Sequence, residues 1–517
     1  MSGYILLPVI LPVLAGICLL VSSFLEHLAE KNNKTSKHMS HSERRNVCIF
    51  TLAVLVISAF IALDMAGESG KSVTLFYIMK DIPVYFHVDD ISRLFVVFIS
   101  IVWGLAGIYS CVYMEHEGEE KRFFGFYLMV YGVLVALDFA GNLVTFYLFY
   151  ELMTLTSMPM VLHNGSRESI MAALKYLFYS MCGAYAALFG IFFMYKYCGD
   201  LSFTPGGNLN LEMIQGNEGI LLIAVFAMLV GFGAKAGMFP LHAWLPTAHP
   251  VAPSPASAVL SGIIVKCGVL GIVRVVYYVV GTEFIRGTWV QTAWMCLTLL
   301  TVFMGSLLAF REPVFKKRLA YSTVSQISYI LFGLSAMTPT AFSGAMLHTV
   351  AHAFIKCTLF LVAGVFIFKC GITRVEELDG IGKKMPKTLW CYTFASLALI
   401  GIPPTSGFIS KWYLAQGALE AEIGIFRYLG PIILLISALL TAGYLLPIVM
   451  RGFFPGKDWK PEAEVSGKKS KHNVLKVQEP SMMMLLPLVI LAAVAVFLGV
   501  FPNPLVAYVS EIAASLM

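Results

Sequence analysis

The sequence predicts an all-α polytopic membrane protein of about fourteen transmembrane helices. Three observations predict it: how little charge the chain carries, how its apolar residues run together, and where its basic residues fall. Of 517 residues, 58% are hydrophobic and 13% charged, against roughly one quarter charged in an average soluble domain. A soluble protein of any size needs a charged exterior, so most of this chain must face lipid. A bilayer core takes roughly 20 apolar residues per helix. Stretches of that kind run approximately over 3–25, 47–66, 90–113, 123–140, 142–162, 170–197, 218–237, 254–280, 289–309, 319–336, 341–368, 388–413, 428–450 and 482–508. The boundary between the fourth and the fifth falls at Gly141–Asn142.

The basic residues support an even span number. The odd-numbered connections hold nearly all of those outside the spans, from Lys31, Arg44 and Arg45 in the first to Arg311, Lys316, Lys317 and Arg318 in the ninth and Lys457 to Lys476 in the thirteenth. The even-numbered connections hold only Lys71, Lys80, Arg286 and Arg427. Lys and Arg accumulate in cytoplasmic loops, so the odd connections are expected in the cytoplasm and both termini on the outer side of the cell membrane. A wrong count would mix the two sets beyond the error, and they stay separate to the last loop. The net charge of +6 sits in short loops and forms no basic face, which argues against a nucleic-acid partner. The first apolar stretch is long enough to span and basic residues follow it, so no cleavable signal is expected.

The ten cysteines are scattered singly, with no C-x-x-C and no Cys/His spacing suited to a metal. No metal and no cofactor is expected. If the protein takes part in redox chemistry, the electrons travel elsewhere.

Eight basic residues lie inside the predicted spans: Arg93, Lys175, Lys196, Lys235, Lys266, Arg274, Lys356 and Lys411. Arg93, Lys196 and Arg274 are near span ends and are expected to snorkel. Lys175 is near a cytoplasmic end and reads as structural. The others need explaining, because a charge in mid-bilayer costs a few kcal/mol at least and usually faces protein or a hydrated path. Glu151 joins them in FYLFYELMTLTSM, and His348, His352 and Lys356 share one helix face at i, i+4 and i+8. Singly, each of these groups fits an ion pair or a packing histidine, and His242 and His249 fit loop caps as well. The tenth span contributes Tyr321, Ser322, Thr323, Ser325, Gln326 and Ser328, which suit either interhelical hydrogen bonds or a hydrated path.

Two spans cannot be straight helices. Pro240, Pro246, Pro250, Pro253 and Pro255 follow Lys235, and Gly401, Pro403, Pro404 and Gly407 precede Lys411. Irregular backbone at membrane depth is tolerated where protein or water lines it, and interrupted spans with an ionisable residue point to an ion site. The broken spans are the seventh and the twelfth. A five-helix repeat reverses its orientation, so spans 4–8 and 9–13 are expected to form an inverted pair. The expected organisation is N-terminal helices 1–3 in 1–122, a first repeat in 123–280, a second in 281–455, and a cytoplasmic loop with a last helix in 456–517. In such a site a desolvated amine holds its proton less firmly and a nearby carboxylate restores it; histidine suits a relay.

At these residues the sequence resembles the antiporter-like membrane subunits of complex I, Mrp-type sodium/proton antiporters and group-4 membrane-bound hydrogenases. The resemblance is carried by GFGAKAGMFPLHAWLPTAHPVAPSPASAVLSGIIVKCGVLGIVR, LHTVAHAFIKCTLFLVAG and GIPPTSGFISKW, and covers roughly residues 85 to 455. It implies two inverted five-helix repeats, a lipid environment and other membrane subunits as partners, with protons as cargo and sodium as a second candidate ion. It also implies roles. Glu151 would tune Lys235, Lys266 would connect the half-channels, His348, His352 and Lys356 would form the relay, and Lys411 would be the terminal site. Lys411 departs from the M-type glutamate and fits L-, N- or D-type chains. The chain ends at the fourteenth span, whereas L-type and Mrp A-type chains extend further. A stand-alone solute transporter and a quinone-contacting redox subunit are the competing readings.

Overall fold

A computed structural model describes residues 2–33, 39–67, 70–79, 82–198, 200–456 and 478–517. Lys34, Lys37, Lys80 and most of the expected cytoplasmic loop, with Lys457 to Lys476, lie outside the described residues. Among those described, ten helices are long and apolar enough to cross a membrane.

The chain begins with α1 (Leu7–Asn33) and α2 (His41–Gly67). Among the described residues a single hairpin then departs from the otherwise helical pattern. Strands β1 (Ser72–Met79) and β2 (Ile82–His87) pair antiparallel. SVTLFYIM is rich in β-branched and aromatic residues but too short to span, so a hydropathy reading passes over it.

Helices α3 (Asp90–Glu117), α4 (Glu120–Asp138), α5 (Leu143–Val161) and α6 (Arg167–Tyr197) follow. Three of them start at side-chain caps that satisfy a free N–H. Asp89 accepts from Ser92 N at 2.8 Å, Asn142 from Thr145 N at 2.7 Å and Ser166 from Ser169 N at 3.1 Å. The Asn142 cap explains how four residues suffice between α4 and α5.

Those four residues belong to a cap over one end of the bundle. His87 N donates to Phe139 O at 2.7 Å and Gly141 N to Tyr85 O at 3.0 Å, which ties the hairpin to the α4–α5 turn. Phe203 N donates to Gly141 O, Gly206 N to Tyr277 O and Asn208 N to Val279 O, each at 3.0 Å. Gly207 has φ +93°, and a Cβ there would lie 2.5 Å from Gly281 N, so this layer closes only with glycine. We call this the hairpin end.

Helix α7 (Glu218–Ala236) stops at Gly237, whose φ is +79°. Turns lead to α8 (Leu245–Val251), and Pro253 precedes α9 (Ser254–Val280), which is buried throughout. Its α-helix is interrupted by π-helical turns at Leu260–Ile264 and Arg274–Val280. The second part comprises α10 (Trp289–Arg311), α11 (Phe315–Ala336), α12 (Pro339–Cys370), α13 (Pro386–Ile400), α14 (Ser406–Glu420) and α15 (Phe426–Phe453). The seventh and twelfth spans are therefore both broken, as the prolines and glycines required.

The last predicted span, 482–508, is also divided. Pro502 separates α16 (Met482–Val500) from α17 (Asn503–Leu516). Helix α17 turns back on the bundle, and Tyr508 OH donates to Asp90 O at 2.9 Å.

Candidate ion-translocation site

Lys235 lies in the last turn of α7, just before the break, and is fully buried. Its Nζ donates to Tyr176 OH at 2.7 Å, Thr154 Oγ1 at 2.9 Å and Ser180 Oγ at 3.2 Å, and lies 4.3 Å from the centre of the Tyr176 ring. Three hydroxyls on α5 and α6 therefore surround the three ammonium protons. Glu151 is half-buried on α5 and accepts from Tyr147 OH at 3.2 Å. Among the described residues it forms no ion pair with Lys235. It stands one helical turn from Thr154, which does bond Lys235.

Lys266 follows the first π-turn of α9 and is fully buried. Its Nζ donates to Ser261 O at 2.8 Å, a carbonyl five residues back, and lies 2.6 Å from His352 Nδ1. With Lys266 as donor, His352 is the neutral acceptor. This bond links α9 to α12. A second link, Ser261 Oγ to Thr323 Oγ1 at 2.7 Å, runs from α9 to α11.

Along α12 the expected face is present. The His348 and His352 ring centres are 6.1 Å apart. His348 Nδ1 lies 2.8 Å from Ser410 Oγ and its Nε2 3.2 Å from Gln326 Oε1. Lys356 donates to Ser322 Oγ at 2.7 Å and Leu319 O at 3.1 Å, and Tyr444 OH donates to the same Ser322 Oγ at 2.6 Å. Lys411, half-buried on α14, donates to Leu399 O at 2.6 Å and Ile400 O at 2.9 Å. These are the last carbonyls of α13, so the break turns the negative end of one half-helix toward the ammonium on the other.

Two bonded pairs, Ser410 with His348 and His352 with Lys266, thus stand side by side on α12, with Lys411 next to Ser410 in the chain. Among the described residues no hydrogen bond joins the two histidines to each other or Lys411 to Ser410. Lys356 lies further along the same helix face. Lys235 is separate, one helix away from Lys266. The polar tenth span divides, with Ser322, Thr323 and Gln326 touching these groups while Ser325 bonds Ser306 and Ser437.

Several groups were not legible as site residues. Nothing in the sequence distinguishes Thr154, Tyr176 and Ser180 from other helix hydroxyls. His249 is no loop cap: it is fully buried, stacks on Phe360 at 4.6 Å, and neither ring nitrogen has a partner among the described residues. Nearby, buried Lys316 donates to Ala252 O. Arg274 does not snorkel. It is 1% exposed and forks onto Asp89, with a third bond to Ser92 Oγ at 3.1 Å. Lys175 donates to Thr247 Oγ1 at 3.0 Å, in keeping with a structural role. Among the described residues no three His, Cys, Asp or Glu side chains gather as metal ligands.

Broken helices that each present an ammonium to the bundle interior, with histidines and hydroxyls packed between them, define a class of membrane proteins built around an ionisable interior. The chain belongs to the NADH:quinone oxidoreductase/Mrp antiporter transmembrane family, whose model matches residues 140–441. A second model, for the N-terminus of chain 5 of NADH-ubiquinone oxidoreductase (complex I), matches residues 78–124. The chain is 30% identical over 429 residues to NADH-quinone oxidoreductase subunit N of Desulforudis audaxviator (strain MP104C), covering 82% of this chain and 84% of that one. It is 26% identical to the D-type subunit of the Na(+)/H(+) antiporter of Alkalihalophilus pseudofirmus, covering 100% and 98%. In fold it is similar to a chain of the Mrp complex from Dietzia sp. DQ12-45-1b, with a TM-score of 0.82, 21% identity and coverage of 100% and 97%.

Proposed function

We propose that this chain is the proton-translocating subunit of a multisubunit membrane complex of the complex I, Mrp antiporter or membrane-bound hydrogenase type. The observation that carries the reading is the row of polar groups in the bundle interior, the bonded pairs His348–Ser410 and His352–Lys266 on α12 with half-buried Lys411 at one end and buried Lys235 at the other. Ammonium, imidazole and hydroxyl groups pass protons by small rearrangements of hydrogen bonds, whereas a sodium ion needs oxygen ligands and is repelled by an ammonium. Proton movement is therefore the leading reading, with sodium exchange as an additional activity of the assembled complex.

In this reading Lys235, tuned by Glu151, loads the first half and Lys266 passes the proton across to His352. His348 and Lys356 extend the relay, and Lys411 terminates it. Fourteen spans, with α4 to α9 and α10 to α15 as inverted five-span repeats, fit the matching breaks. The packing of α6 on α7 and of α12 on α14 supports the same pairing. The N-terminal helices in 1–122 and the final helix beyond 456 flank the repeats, both termini lie outside the cell membrane, and neighbouring membrane subunits complete the machine.

The test is to introduce Lys235→Ala and Glu151→Ala separately into the intact complex and to record proton uptake into inverted vesicles with a pH-sensitive dye. Both variants are expected to assemble and to lose translocation. Undiminished translocation in both would end the proposal.

A further inference from the structure

The carboxyl of Asp138 is one buried ionisable group that the relay leaves unused. It is the last residue of α4, immediately before the segment that bonds the hairpin, and is fully buried. Neither carboxyl oxygen has a hydrogen-bond partner among the described residues. Among the described residues the other buried carboxylate, Glu120, pairs with Arg44 at 3.0 Å, and the partly exposed Asp89 pairs with Arg274. A carboxylate without a partner in the interior costs several kcal/mol unless it takes up a proton or a cation. The C-terminal end of α4 adds a further penalty to a fixed negative charge.

The surroundings give this group a direction. Its charged neighbour is Arg274 on α9, whose two terminal nitrogens are engaged by Asp89 and Ser92 while its Nε has no partner among the described residues. Cys267, the residue after Lys266 on α9, lies within the field of Asp138 and of both lysines. Tyr150 on α5 also has a hydroxyl without a partner among the described residues, and its ring lies 5.9 Å from Lys235 Nζ. Tyr131, on the same helix as Asp138, bonds Ser100 at 2.9 Å. Among the described residues, unpartnered polar atoms therefore occur beside Lys235, at Tyr150 OH, and at the hairpin end, at Arg274 Nε and Asp138.

We propose that Asp138 is a proton-carrying carboxyl through which the first half exchanges protons with the hairpin end of the bundle, between the Lys235–Lys266 region and the Asp89–Arg274 pair. The inference rests on the proton-translocating reading above. In the forward step an ammonium of the lysine region gives its proton to the carboxylate, leaving a neutral amine and a carboxylic acid. The acid then releases the proton toward the hairpin end, and the Arg274 guanidinium balances the carboxylate that results. Intramembrane carboxyls on such routes are the expected markers of an ion path.

The test uses the whole complex in inverted vesicles, with Asp138→Asn, Asp138→Glu and Lys235→Ala read side by side for assembly and for proton uptake. Asp138→Asn is expected to assemble and to slow uptake roughly tenfold or more, the scale of losing a proton-transfer group. Asp138→Glu is expected to restore most of the rate. Should Asp138→Asn fail to accumulate, Asp138→Ser, which keeps an oxygen and loses the titratable proton, is read in its place. A normal rate in the Asn or Ser variant overturns the inference. So does a Glu variant as slow as Asn, or accumulation of the Glu variant alone, since either makes the carboxyl structural. Lys235→Ala separates the two levels: loss of uptake there beside a normal Asp138→Asn removes only the Asp138 route, whereas normal uptake in Lys235→Ala removes the underlying function.

Discussion

Lys235 is held by hydroxyls, and that changes which substitutions matter around it. A hydrogen bond to a charged group contributes about 1.5–3 kcal/mol, and each 1.36 kcal/mol is about a factor of ten in rate. Tyr176→Phe removes the 2.7 Å bond to Lys235 while keeping the ring beneath the ammonium. It is expected to slow proton uptake by about tenfold with assembly intact, and vesicle uptake rates measure it. His352→Ala breaks the described bond that joins Lys266 to α12. Its expected outcome is a complex that assembles but translocates no protons. The lysines and histidines were legible because a charge or an i, i+4, i+8 set stands out in an apolar run. Their hydroxyl partners were not, because Ser, Thr and Tyr are ordinary residues in a membrane helix.

The broken helices position the two ammonium groups at the next scale. Both breaks were legible from proline and glycine. What they accomplish was not, since it depends on which carbonyls the break leaves free and which side chain reaches them. At Gly401 the backbone φ is +92°, and an added Cβ would meet Lys411 Cδ at 3.1 Å. Gly401→Ala should therefore strain the backbone by about 1–3 kcal/mol and push the ammonium away from Leu399 O and Ile400 O. Lower thermal stability of the purified complex together with slower uptake is the expected pair of results. Unchanged stability with unchanged uptake would show that the break does not hold Lys411. The π-turn of α9 has a related place, because Ser261 within it offers its carbonyl to Lys266 Nζ at 2.8 Å.

Across the whole molecule, the hairpin end is sealed by groups far apart in the chain. Arg274 and Asp89 are 185 residues apart in sequence, and the arginine is sandwiched between Phe203 at 4.5 Å and Tyr278 at 4.7 Å. Removing one partner of a buried pair leaves the other charge uncompensated, so Arg274→Ala should cost about 3–5 kcal/mol of stability. The Arg93–Asp90 pair is half exposed, and Arg93→Ala should cost about 0–1 kcal/mol. Thermal unfolding of the two variants beside the parent checks the contrast, and equal losses would refute it. Arg274 was expected to snorkel because its position along the span was visible and Asp89's approach was not. The hairpin escaped a reading built on spans for a similar reason: its residues satisfy their backbone on the α4–α5 turn, not in a helix.

The sequence by itself determined that this chain lives in lipid, that two of its helices break, and that Glu151, Lys235, Lys266, His348, His352, Lys356 and Lys411 are its anomalous groups. Each of those conclusions follows from composition, from periodicity, or from the cost of a charge in hydrocarbon, all of which are local to the chain. Only the tertiary structure decided that hydroxyls rather than Glu151 hold Lys235, that His352 receives Lys266, and that helix-end carbonyls receive Lys411. It also buried Arg274 on Asp89 and left Asp138 without a partner among the described residues. A hydrogen-bond partner is fixed by which helices pack face to face, and that choice is made by the whole bundle at once.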